Sequence, residues 1–158
     1  MPVPEPVVVE FPEDDRAAVV RRMAKLSDAG AGWINFSPGL NVEEPPAPRS
    51  SMGMLLAARG PLVPLATWAP PQGREPATAG IEHGQGPKAV RLLADRGVPV
   101  PEDWRVTQDH PRRGLVVIPT PGVGDEALDT VLDWLLRATA ALCPLPRSGQ
   151  WRAYCYEV

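Results

Sequence analysis

The residue types best suited to chemistry sit in two short segments, Ile81-Glu82-His83-Gly84-Gln85-Gly86 and Gln108-Asp109-His110-Pro111-Arg112-Arg113-Gly114, which hold the only two histidines of the chain. An imidazole titrates near neutral pH and serves as a general base, and a guanidinium offers a bidentate fork to a carboxylate or phosphate. Backbone amides exposed at the start of a helix favour an anion. These residues therefore define one candidate ligand site, for a small anionic molecule: His83, Gly84, Gly86, Lys88, Asp109, His110, Arg112 and Arg113. Each segment also reads more plainly. Glycines make a tight strand-to-helix turn, and histidine, proline and arginine collect at a solvated hairpin tip.

Other chemistries find less support. Gly84-Gln85-Gly86-Pro87-Lys88-Ala89 satisfies the spacing G-x-G-x-x-A, but the chain lacks the successive βαβ units of a dinucleotide fold, and Pro87 removes an amide that would face a pyrophosphate. Glu82 and Asp109 adjoin the histidines, yet no second ligand lies at the HxH, HxxxH or CxxC spacing that fixes a metal locally, so no metal and no cofactor is expected. No serine lies in a G-x-S-x-G elbow. Cys143 and Cys155 read as small core residues.

The elements that must position these residues follow from periodicity and turn chemistry. Pro6 to Phe11 is a β-branched run of the kind buried on both faces of a sheet. A helix over about 13 to 28 follows, with Val19, Met23 and Leu26 as its stripe and Gly30 beyond its end. Trp33 to Phe36 is a short strand stopped by Ser37-Pro38-Gly39, and 40 to 51 is an exposed proline-rich loop. Residues 52 to 59 carry at most one or two helical turns. Leu62 to Ala69 and Thr78 to His83 read as strands, and Pro87 opens a helix closed by Gly97. Trp104 to Gln108 and Leu115 to Ile118 form a hairpin across Asp109 to Gly114. Asp125 to Leu142 is the clearest helix, ended by Pro144, and Gln150 to Val158 alternates as a last strand.

The expected architecture is a single α+β domain spanning residues 1 to 158, with a mixed or antiparallel sheet and three main helices on one face. Its C-terminal half runs β-α-β-β-α-β, the split βαβ order of ferredoxin-like domains. That order is shared by many functions and selects none.

Sixteen basic against nineteen acidic residues, a net charge of -3 and a pI near 5.4 argue against nucleic-acid binding. No apolar run approaches the ~20 residues of a membrane span, and no signal-peptide pattern opens the chain. Two cysteines make no disulfide framework, which points to a cytoplasmic protein with reduced thiols. Five tryptophans are many for 158 residues. Trp134, off the stripe of the last helix, and Trp104 and Trp151, beside Arg105 and Arg152, are candidates for an interface with a protein partner or a second copy. The leading expectation is a non-catalytic interaction or regulatory module, dimeric in one form. The alternative is a small-molecule or anion-binding domain, or an enzyme, using the His/Arg site at 82–88 and 109–113.

Overall fold

The computed structural model describes residues 3–42 and 60–158. Seven strands form one open sheet: β1 (Val7–Pro12), β2 (Trp33–Leu40), β3 (Leu65–Ala69), β4 (Thr78–Glu82), β5 (Arg105–His110), β6 (Gly114–Ile118) and β7 (Arg147–Tyr156). Among the described residues three helices complete the fold, α1 (Ala17–Ala29), α2 (Ala89–Asp95) and α3 (Gly124–Ala141). The strand order is β1-β7-β2-β3-β4-β6-β5, and every neighbouring pair is antiparallel.

Register decides which residues share a face, because side chains alternate with period two. One row across the sheet runs Val9, Ala153, Phe36, Ala66, Ile81, Leu115, Asp109, and the next runs Val7, Cys155, Ile34, Trp68, Ala79, Val117, Val106. From Ala153 to Leu115 and from Cys155 to Val117, every residue of these rows is buried. They join Val19, Met23 and Leu26 of α1, Ala89 and Leu93 of α2 and Leu132 and Leu135 of α3 in one hydrophobic core. At about 1.5–3 kcal/mol per large apolar side chain, this layer contact drives the fold. A double ion pair adds geometry: Arg16 meets both oxygens of Asp129 at 2.9 Å and Asp133 at 3.2 Å, tying the start of α1 to α3. The opposite face, through Val8, Tyr154, Asn35, Thr67, Gly80, Val116 and Gln108, has none of these side chains buried.

Several expectations change. The run from Pro6 to Phe11, expected to be buried on both faces, lies at the edge as β1, with Val7 39% and Val8 50% exposed. A β-branched run is equally at home in a half-buried strand, so composition could not separate the two. Helix α1 begins at Ala17, because Pro12 to Asp15 close a turn in which the Asp15 amide donates to the Pro12 carbonyl. Strand β2 runs on to Leu40 through Pro38 and Gly39. Pro38 is buried opposite Trp151, with a register shift before Leu40. Of the loop expected at 40 to 51, Leu40 ends β2 and the Asn41 amide donates to Pro146; the remainder from 43 and the segment 52 to 59 lie outside the described residues.

The C-terminal elements follow the expected β-α-β-β-α-β order along the chain. In space, β4-β6-β5 is a split βαβ unit, its two outer strands parallel with β6 between them. The ferredoxin-like arrangement would set the last strand beside β4. Instead β3 occupies that place, and β7 lies between β1 and β2. There it completes a second split unit, β1-α1-β2, at the other end of the sheet.

Candidate functional site

The two histidine segments end β4 and β5 and lie at the same end of the sheet, on either side of β6. Ile81 and Asp109 both face Leu115, so the two strand ends lie about 9–10 Å apart, twice the strand spacing. Gly114 makes the junction possible. Its φ is +87°, and a methyl group there would collide with the Ile81 carbonyl. The connection between β5 and β6 is thereby shortened to Pro111, Arg112 and Arg113, a three-residue hairpin loop closed by a left-handed glycine.

His83 is wholly buried. Its Nδ1 accepts the Gln85 amide at 3.1 Å, so the neutral ring carries its proton on Nε2. Nε2 is itself buried and has no hydrogen-bond partner among the described residues. Burial pushes the imidazole below its ordinary value, and the nearby Asp109 charge opposes that only in part. Backbone packs closely against this segment. The Gly60 amide donates to Pro111, and a side chain at Gly60 would strike the His83 carbonyl, while one at Gly84 would press on the Pro61 and Gly60 carbonyls.

Asp109 points from β5 to the start of α2, where Oδ1 accepts the Ala89 amide at 2.9 Å and Oδ2 the Val90 amide at 3.1 Å. The carboxylate thus fills the place expected for an external anion, and its charge complements the helix dipole. Pro87, expected as the first helical residue, lies outside α2. Lys88 precedes the helix in a left-handed conformation, φ +63°, with its side chain exposed. Gly86, at φ +88°, is buried in the same turn.

His110 faces Gly114, one residue out of phase with Asp109, and therefore belongs to the sheet face opposite the helices. Its Nδ1 accepts the amides of Arg112 and Arg113, each at 3.1 Å, and so shapes the hairpin tip. The Arg112 and Arg113 side chains are exposed. Thus the structure gathers His83, Gly84, Gly86 and Asp109 on the helix side of one sheet end. It sends His110 to the other side, and the two imidazoles do not face one pocket. Among the described residues no group of three His, Cys, Asp or Glu side chains is placed to hold a metal ion.

The interface candidates lie inward. Trp151 is 1% exposed and Trp134 6%, both within the core. Trp151 donates its indole N–H to Glu13 and Trp134 donates to the Pro99 carbonyl, while Trp104 packs edge-on against Trp134 at 5.2 Å. Arg105 and Arg152, exposed at the surface, belong to alternate positions pointing away from that core.

Sequence reasoning missed an aromatic group on the open face. Trp33 and Tyr156 stack at 4.8 Å with planes 14° apart, and Tyr154 lies two residues before Tyr156 on the same face. All three are half-buried and sit on β2 and β7. The signal was present in the alternation of Arg152, Tyr154 and Tyr156 against Trp151, Ala153 and Cys155. Separately, a groove of about 530 Å³ runs between Glu13 and Arg16 on one side and Leu136, Arg137 and Ala140 of α3 on the other. Most of its charges are paired, Arg147 with Glu13 and Arg16 and Arg137 with Asp133.

Among the described residues no helix is long and apolar enough to cross a membrane, and Cys143 and Cys155 are free thiols, the latter buried. No family model matches the chain, and searches of curated proteins and of solved structures returned no significant match.

Proposed function

We propose that the protein is a non-catalytic interaction module that presents the sheet face opposite its described helices to a protein partner. The observation that carries this reading is the Trp33–Tyr156 stack beside Tyr154, three partly exposed aromatics held on adjacent strands. Tyrosine, tryptophan and arginine dominate binding hot spots because they bury large areas at small conformational cost. Arg152, paired to Glu10 at 2.9 Å, borders the group. Strands hold these side chains in place before binding, which reduces the ordering cost of association. Meanwhile the polar atoms of Asp109 and the Nδ1 atoms of both histidines are committed to the protein's own amides. With two free thiols, a reducing, cytoplasmic setting suits the chain.

The test uses a partner recovered with the wild-type protein from its native host, purified and titrated calorimetrically. A Trp33→Ala/Tyr156→Ala protein should bind at least about tenfold more weakly, with its thermal midpoint little changed. Undiminished affinity for a folded double variant would refute the reading.

A second reading, small-molecule or anion binding at the strand-helix turn, draws on the buried Nε2–H of His83, which lacks an acceptor among the described residues. Titration with inorganic phosphate, followed by the His83 imidazole resonance, decides it. A saturable shift that Lys88→Ala weakens would support that reading, and an unchanged resonance would dismiss it.

A further inference from the structure

The two edges of the sheet are unlike. On β5 a register shift between Val106 and Gln108 breaks the regular pairing, Arg105 and Asp109 place charges along the strand, and Asp109 is tied to α2. Bulges and charges of this kind protect an edge from pairing with another chain. The β1 edge carries no bulge. Its six residues hold an unbroken register with β7, Glu10 is its only charge, and Val7 and Val8 are 39% and 50% exposed. Among the described residues nothing pairs with its outer side.

We propose that a second copy of this chain pairs antiparallel with the outer edge of β1, about a two-fold axis through Val9. Pro6 and Pro12 each stand three residues from Val9. Proline has no N–H to give to a ladder, so a pairing that keeps both outside loses nothing. In the Val9-centred register Val9 meets Val9 of the second copy, Val8 meets Glu10, Val7 meets Phe11, and the prolines face each other beyond the ends. All five non-proline residues from Val7 to Phe11 then pair, and no glutamate faces a glutamate. Any other two-fold register shortens the ladder. The proline bracket and the single charge are therefore self-complementary, which selects a second copy over an unrelated extended peptide. The pairing would join two sheets, and their aromatic open faces, side by side. It stands on the edge geometry and does not depend on the open face binding a partner.

A five-residue ladder is small against the ~1,200 Å² at the lower end of stable interfaces, so self-association belongs in the range of about 10 µM to 1 mM. Sedimentation equilibrium of the full chain across that range should show a reversible monomer–dimer equilibrium. Val8→Glu sets two like-charge pairs against Glu10 across the seam and should weaken dimerisation roughly tenfold. Val8→Lys sets an ammonium against the same carboxylate and should dimerise at least as tightly as wild type. Val8 is half exposed, so circular dichroism should find both variants folded. A wild-type protein that stays monomeric throughout overturns the proposal. So does equal weakening by Val8→Glu and Val8→Lys, which would mean a contact without this register.

Discussion

Acidification should destabilise the protein through His83. The ring is wholly buried, and its Nδ1 accepts the Gln85 amide, so protonation must both charge a buried group and break that bond. Burial lowers the folded-state value below the ordinary 6.5, with the Asp109 charge opposing it. The unfolded chain, whose histidine titrates near 6.5, then binds the proton more readily than the folded one. Stability contributed by neutral His83 is therefore complete above about pH 6.5 and declines as pH falls below it, by at most about 1.4 kcal/mol per unit until the folded value is reached. Between pH 7 and pH 5 the loss has an upper limit of about 2 kcal/mol. Urea unfolding at pH 7, 6 and 5 measures it, with His83→Phe as the reference, since the chain has only one other histidine. The wild type should lose more stability than the variant over this interval. Identical pH dependence of the two proteins, or an imidazole resonance of the native state that titrates at 6.5 or above, would refute the assignment of a buried, neutral His83.

Three further outcomes follow from the packing. Asp109→Ala removes two charge-assisted bonds to the first amides of α2 and should cost about 2–4 kcal/mol in urea unfolding, with Asp109→Asn recovering part of it. Gly114→Ala combines a left-handed backbone with a collision against the Ile81 carbonyl, so it should cost more than about 2 kcal/mol and lower the thermal midpoint accordingly. Trp151→Ala, at 1% exposure, should cost about 3–5 kcal/mol, whereas Trp33→Ala on the open face should cost well under half of that by the same measurement.

The helices α1 and α3 and every strand from β3 onward could be placed from periodicity and punctuation, since those signals are local. Pairing is a different matter. The gathering of His83 and Asp109 follows from the parallel ends of a split βαβ unit, which the element order already implied. Their roles did not follow. One carboxylate's use as a helix cap depends on where a segment twenty residues earlier begins its helix, and no local spacing records that. The phase of His110 depends on the bulge in β5, so the sequence left open which face it joins.

The amino-acid sequence by itself determined the alternation that splits Trp151, Ala153 and Cys155 from Arg152, Tyr154 and Tyr156, and hence that a sheet would have a wet and a dry side. It determined the tight turns at Gly86 and Gly114, because only glycine takes a positive φ without strain. The tertiary structure decided that β7, last in the chain, enters between β1 and β2 and leaves the N-terminal strand at the edge. That choice comes from fitting two split βαβ units under one helical layer, a long-range pairing that residue types along the chain do not encode locally. It put Trp151 inside, Tyr154 and Trp33 on the open face, and β1, with Val7 and Val8 partly exposed, at the outer edge of the sheet.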